Sequence, residues 1–490
     1  MELNNSIIQK QCFKYALNAT SQYLFYVIQG GTKMSSVKQP DYLHGLQDIS
    51  EPNLYKDIFP YSEIPRVTFD NVQLPMDMPD EIWVTDTTFR DGQQSMPPYS
   101  SEQIIKLYDY LHKLDNNSGI IRQTEFFLYT EKDRHAAQVC MERGYKFPEV
   151  TSWIRANRED FKLVKQMGIH ETGMLMSCSD YHIFKKLKKS RKEALDMYLA
   201  IIEDALSAGI KPRVHLEDIT RADFYGFVVP FVAKLMEISR DANVPIKIRA
   251  CDTLGLAVPY SGASLPRSVQ GIMHGLRKVC GVSPENIEWH GHNDFNAVVT
   301  NSTTAWMYGC SSVNTSLLGI GERTGNCPLE SMLIEYAQFK GTTKNMKLEV
   351  ITEIAEYFKK EMAYDIPPRT PFVGSQFNVT RAGIHADGLL KDEEIYNIFD
   401  TDKLLHRPVV VAVNEYSGLA GIAVWINTYY RLKGEDRVDK HAPGILKIKE
   451  WVDAQYAKER TTIINSDELE ALVAEHMPEI LELKENEKIS

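Results

Sequence analysis

From Glu81 to about Gln338, short β-branched or apolar runs alternate with longer amphipathic stretches. The strand-like runs are EIWVTD (81–86), IIRQTEFF (120–127), FPEVTSW (147–153), HETGMLMS (170–177), PRVHLED (212–218), PIKIRACD (245–252), NIEWHGH (286–292) and SVNTSLL (312–318). Between them apolar residues recur at helical spacing. Ile104, Leu107, Leu111 and Leu114 form one stripe, and Leu195, Leu199, Ile202 and Leu206 another. Strand-then-helix units repeated over about 260 residues predict an α/β fold, a (β/α)8 TIM barrel. A doubly wound sheet is the alternative. It usually carries a Gly-rich turn after its first strand, and Asp91-Gly92-Gln93-Gln94 is no such turn.

Past Gln338 the alternation stops. The expected organisation is an N-terminal arm and extended Pro- and Asp-rich lead-in (1–80), a barrel (81–338), a helical linker or lid (339–440) and a Lys/Glu-rich helical tail (441–490). The N-terminus lacks a basic region followed by an apolar one, so it does not read as a signal peptide, and Met34 is an alternative start.

Composition narrows the class. Hydrophobic residues are 43% and charged residues 25%, an ordinary globular mixture. No apolar run reaches the roughly 18 residues of a membrane span. A formal charge of −11 argues against a nucleic-acid partner. The local basic run Lys185 to Lys192 reads as a solvated helix face. Seven cysteines without a CxxC pair argue against a disulfide framework and for a reducing cytoplasm.

Barrel chemistry sits at the C-terminal strand ends. The first strand ends in Thr85-Asp86-Thr87-Thr88-Phe89-Arg90-Asp91-Gly92, the seventh in His290-Gly291-His292-Asn293-Asp294. Residues two apart on a strand share a face, so both imidazoles point one way. Alone, a His-x-His is more often a pair of hydrogen-bonded strand histidines. With Asp91 from a neighbouring strand end and Asn326 from the Gly-rich turn after strand eight, the set suits a divalent metal that also binds substrate. Arg90 beside it can hold a carboxylate or a developing oxyanion. Arg213, His215 and Glu217 alternate along strand five and face the interior. A buried Arg213 needs an anion, either Glu217 or a substrate carboxylate. Thr253 can add a hydroxyl. Arg90 and Arg213 together suggest a substrate with two carboxylates. His385, outside the barrel, is a structural loop histidine or a base delivered by a lid.

These three motifs, in this order, resemble the signatures of the DRE-TIM metallolyase superfamily, and within it the Claisen-condensing branch. The resemblance runs from about residue 81 to 430. It implies metal ligands at Asp91, His290, His292 and Asn326, and a 2-oxo-acid contact at Arg90 with Gln94. Arg213, His215 and Thr253 fall on the pocket for the distal carboxylate. His385 falls on the base, helped by Tyr396 and Glu217. The implied cofactor is a divalent cation, Mn2+ or Co2+ before Mg2+ or Zn2+. The implied reaction joins acetyl-CoA to oxaloacetate, as in the citrate-forming members; 2-oxoglutarate, 2-oxoisovalerate and acyl-CoA lysis are alternatives. The resemblance also implies a homodimer in which the linker crosses to the partner barrel. Two departures stand out: Thr380 replaces a histidine common in relatives, and His215 replaces a serine.

Overall fold

The chain divides into two units, Met1–Gly45 and Leu46–Ser490. The computed structural model describes residues 45–481. The readings of the N-terminal arm, Met34 and the end of the C-terminal tail lie outside the described residues.

Eight parallel strands close a barrel in chain order: β1 Trp83–Asp86, β2 Ile121–Phe127, β3 Glu149–Arg155, β4 Glu171–Ser177, β5 Lys211–Glu217, β6 Lys247–Asp252, β7 Ile287–Gly291 and β8 Ser312–Thr315. The ring shuts where β1 pairs with β8, from Trp83 opposite Ser312 to Asp86 opposite Thr315. Each predicted run overlaps one strand. The last is shorter than read, because Leu318 (φ 57°) and Gly319 (φ 64°) turn the chain.

Strand alternation sorts the side chains. Val214, Leu216, Ile248, Ala250, Ile287, Trp289 and Val313 are fully buried in the main hydrophobic core. The helix Ser101–Asp115 starts in a reciprocal cap between Ser100 and Gln103. Its stripe, Ile104, Leu107, Leu111 and Leu114, has no exposed surface, worth on the order of 2 kcal/mol per side chain relative to exposure. The other face of the strands is polar: Gln123 and Glu125 on β2, Arg213 and His215 on β5, Arg249 on β6, Glu288 and His290 on β7, Ser312 and Asn314 on β8 are all buried. Most barrels fill this space with branched apolar residues.

From Leu46 the described chain is extended and anchored along its length. The Asn53 amide donates to Asp180 (2.7 Å), Ile58 and Phe59 bury against Leu256, and Asp77 pairs with Arg277 (2.9 Å) and Lys278 (2.6 Å). The basic run is not uniformly solvated. Arg191 is buried between Asp180 (2.7 Å) and Asp223 (3.0 Å), because the Ser190 cap starts its helix with this residue turned inward.

Beyond the barrel, helix Val350–Glu361 packs Ile351, Ile354 and Phe358 into the barrel core. A short parallel ladder, β9 Val379–Thr380 with β10 Val410–Val411, interrupts a region expected to be helical. Helix Gly418–Tyr429 shares a second hydrophobic core with helices Pro443–Tyr456 and Ser466–His476, so these three helices pack together. Among the described residues, no helix is long and apolar enough to cross a membrane.

Candidate active site

The end of β1 is shaped by Asp86. Its buried carboxylate accepts from the Thr88 amide (3.2 Å) and from Thr124 Oγ1 (2.6 Å). This folds Thr88–Gly92 into a tight helical turn carrying Arg90 and Asp91. Asp91 Oδ2 lies 3.6 Å from His290 Nε2 and 3.4 Å from His292 Nε2. One ligand atom from each of the three residues falls within 4.8 Å of the others. Asn326 joins them, its Nδ2 donating to Asp91 Oδ2 (2.9 Å). The loop that returns Asn326 requires glycine at Gly325: φ is +93°, and a Cβ there would meet Gly319 O at 2.3 Å.

Burial would raise the Asp91 carboxyl, but Arg90 and the two histidines hold it well below the usual range. Burial, then His292, push His290 down to about 3, so the ring is neutral. Its Nδ1 lies 2.8 Å from Asn314 Oδ1, which can only accept. Nδ1 therefore carries the proton, and Nε2 turns a lone pair toward Asp91. The chain of bonds continues: Asn314 Nδ2 donates to Thr85 Oγ1 (2.9 Å), Thr85 to Glu288, and Glu288 accepts from Arg249. Arg249 Nη1 reaches Glu125 (3.1 Å), Glu125 accepts from Arg90 Nε (2.8 Å), and Arg90 Nη1 bonds Asp91 (2.9 Å). The circuit closes on the ligand cluster where it began. Among the described residues, His292 Nδ1 and Asn326 Oδ1 are buried without a hydrogen-bond partner. Two imidazoles, one carboxylate and a free amide oxygen fit a divalent cation.

The remaining sequence-predicted residues are spread out. Glu217, at the end of β5, meets His182 (3.0 Å), Lys186 (3.0 Å) and Ser177. Burial alone would raise it, but His182, Ser177 and Lys186 carry it down to about 2. Thr253 Oγ1 accepts from the Asp218 amide (2.8 Å), and Gln94 is exposed. Glu217 does not reach Arg213. Glu125 (2.7 Å) and Glu171 (3.2 Å) neutralise it, because barrel stagger brings β2 and β4, not the top of β5, to its depth. His385 Nδ1 lies 3.2 Å from Thr380 Oγ1, and its ring sits 4.4 Å from that of Tyr396. No hydrogen bond or ion pair among the described residues joins that pair to the ligand cluster.

Sequence reasoning missed Glu125, Arg249, Glu288, Asn314 and His182. Four of these are interior barrel residues, and the signal was available: polar residues two apart inside otherwise apolar strands. Beside the Asn326 loop opens a cavity of about 900 Å³, lined by Ser95, Met96, Arg323, Glu330, Tyr364 and Pro367 among others. Burial raises Glu330 to about 7, while its Oε2 accepts from the Leu318 amide (3.1 Å) at the base of the loop.

Fold and site define a class: a (β/α)8 barrel protein that can hold a divalent cation between the ends of strands one, seven and eight. A family model described as HMGL-like matches residues 81–357, and the chain belongs to this family, that of the DRE-TIM metallolyases. It is 71% identical over 449 residues to the citrate (Re)-synthase of Clostridium kluyveri, covering 92% of this chain and 99% of that protein. It is 53% identical to the citrate (Re)-synthase of Syntrophus aciditrophicus, covering 89% and 69%. The 2-phosphinomethylmalate synthase of Streptomyces hygroscopicus is 38% identical, covering 87% and 97%.

Proposed function

We propose that this protein is a citrate-forming acyltransferase: it condenses acetyl-CoA with oxaloacetate and hydrolyses the citryl thioester to citrate and CoA. The observation that carries this reading is the Asp91, His290, His292 cluster with Arg90 bonded beside it. High identity to two citrate (Re)-synthases supports the choice of substrates.

Charge supports a dianionic acid. In the barrel interior, Arg90, Arg213 and Arg249, with Lys247 half-buried at the opposite mouth, meet Asp91, Glu125, Glu171 and Glu288, four cations against four carboxylates. A divalent cation and a dianionic 2-oxo acid leave that balance unchanged. A monoanionic acid leaves a buried positive charge uncompensated, which is costly.

Asp91, His290, His292 and Asn326 would hold the cation, for which Mn2+ and Co2+ are our first choices. When bound it supplies Lewis acidity to the carbonyl of the oxo acid. Arg90, fixed by Glu125, places a guanidinium where C2 of the oxo acid gains an alkoxide and stabilises that charge. His385 takes a proton from the acetyl methyl group, with Tyr396 against its ring. The resulting carbanion attacks C2, and the carbonyl electron pair moves to oxygen. Glu217, ionised above about pH 2, can orient the water that cleaves the thioester. Thr253 and Gln94 border the same mouth and are assigned to the oxo acid, and the 900 Å³ cavity to the CoA thioester.

We assign His385 to the barrel of a second copy, in a homodimer. Ile384, Ile398 and Tyr416, 69–75% exposed near His385 and Tyr396, give that copy an apolar surface to cover. With its cysteines scattered and its described ones unpaired, we place the enzyme in the cytoplasm.

The test is thiol release from acetyl-CoA with Mn2+ or Co2+, run anaerobically across oxaloacetate, 2-oxoglutarate, 2-oxoisovalerate and pyruvate. Dominant turnover of oxaloacetate is expected. Preference for 2-oxoglutarate or 2-oxoisovalerate would replace the citrate reading, and silence with all four would overturn it.

A further inference from the structure

Glu217 stands level with the candidate cation ligands. It pairs with Cys251 in the β5–β6 register, and Cys251 pairs with His290 in the β6–β7 register. Two strand spacings, about 10 Å, therefore separate the backbones of Glu217 and His290 around the mouth. Beside Glu217 stands His182, from the helical turn Tyr181–Lys186 that follows β4. The lead-in clamps that turn from outside. Tyr181 Oη donates to Leu54 O (2.9 Å), and the Asn53 amide donates to Asp180 just before the turn (2.7 Å).

The contacts of His182 fix which nitrogen is free. Its Nδ1 lies 3.0 Å from Glu217 Oε2, 3.4 Å from Ser177 Oγ and 3.5 Å from Lys186 Nζ. An ionised carboxylate can only accept, so the shortest of these contacts puts the ring proton on Nδ1. Lys186 spends its Nζ on the two oxygens of Glu217, at 3.1 and 3.0 Å. Nε2 is left with its lone pair. Among the described residues no hydrogen bond reaches it. Asp218 Oδ2 lies 3.6 Å away and is committed to Arg221 (2.8 Å) and Ser179. The His182 side chain is 18% exposed. A carboxylate behind one ring nitrogen, with the other nitrogen open, is the arrangement that activates a hydroxyl or a water in hydrolytic sites.

We infer that His182, held by Glu217, is the general base of thioester hydrolysis. This rests on the proposed condensation and deepens its last step. His385 serves the carbon acid and His182 the water. Nε2 takes a proton from the water as its oxygen bonds to the thioester carbonyl carbon and the carbonyl electron pair moves to oxygen. The adduct then collapses. The C–S bond breaks, sulfur leaves with the electron pair, and Nε2–H returns the proton to it, giving the CoA thiol and a carboxyl group of citrate. Glu217 orients the water through the imidazole and stabilises the imidazolium. Held down to about 2, its own carboxylate is a weak base, and an imidazole is the better acceptor near neutral pH.

The test separates condensation from hydrolysis. In a single turnover with oxaloacetate and enzyme in excess, chromatography follows acetyl-CoA and citryl-CoA while a thiol reagent follows CoA. The unmodified protein should release one thiol per acetyl-CoA consumed. His182→Gln should still consume acetyl-CoA but release thiol about a hundredfold or more slowly, so citryl-CoA accumulates. His182→Ala should behave alike, and added imidazole should restore part of its hydrolysis of supplied citryl-CoA; it carries the test if His182→Gln does not fold. Thiol release in step with acetyl-CoA loss in both variants would overturn the assignment and leave the functional reading standing. No consumption of acetyl-CoA by the unmodified protein with oxaloacetate would end both.

Discussion

The barrel mouth and the region around His385 differ in how complete they are within one chain. At the mouth, Asp91, His290 and Asn326 are buried and bonded, and a closed circuit from His290 through Asn314, Glu288, Arg249, Glu125 and Arg90 returns to Asp91. Around His385 the surface is open: Ile384 is 75% and Tyr416 71% exposed, and among the described residues the His385 ring has one hydrogen-bond contact, to Thr380. A preorganised pocket suits binding and polarising a small anion. A separate, uncovered base suits a step that must wait for the second substrate and for closure. The comparison teaches that binding and removal of the acetyl proton are assigned to different bodies, and that they can be damaged separately.

The largest effect should come from Asp91→Ala. Cation retention and turnover should vanish together, by more than the roughly hundredfold expected for an outer-shell partner; calorimetry with Mn2+ and a thiol-release assay check this, and unchanged turnover would refute the ligand assignment. His385→Ala should cut kcat by about a hundredfold to ten-thousandfold. Its Mn2+ and oxaloacetate affinities, measured by calorimetry, should stay put, because the pocket they occupy is complete without it. Weakened cation binding in that variant would erase the division between the two bodies.

Asn314→Leu is subtler. It removes the acceptor that fixes the His290 tautomer, and Mn2+ affinity should fall by about tenfold to a hundredfold. The smallest effect is on stability. Glu330 has a folded value of about 7 against an ordinary 4.5. Its contribution is therefore complete below pH 4.5 and is lost as pH rises through 7. Glu330→Gln should flatten the fall, standing on the order of 3 kcal/mol above the unmodified protein at pH 8 and level with it at pH 4. Thermal melts at the two pH values measure it, and parallel curves would contradict it.

How much of this was legible in the sequence follows from the range of the interactions. The eight strands were visible because outward-facing runs such as Val214 to Leu216 and Ile248 to Ala250 bury against helices whatever their partners. The candidate cation site was visible because Arg90-Asp91, His290-Gly291-His292 and Asn326 lie at strand ends, where one-dimensional order maps onto one mouth. The partner of Arg213 was not. Whether Glu217, Glu125 or Glu171 meets it depends on barrel stagger, which no local pattern encodes. Arg249 and Glu125 were overlooked inside PIKIRACD and IIRQTEFF, since an apolar run was taken as evidence for a strand and its polar residues were not counted as a lining. The ladder between β9 and β10 was missed because each strand has only two residues, too few for a period.

The most direct measurement is a titration of Mn2+ into chelator-treated protein, following oxaloacetate-dependent CoA release and bound metal together. Activity should return in step with the first equivalent of metal per chain, and Asp91→Ala should show neither. Full activity in the chelated protein, or metal that binds Asp91→Ala with unchanged affinity, would contradict a cation-centred condensation at Asp91, His290 and His292.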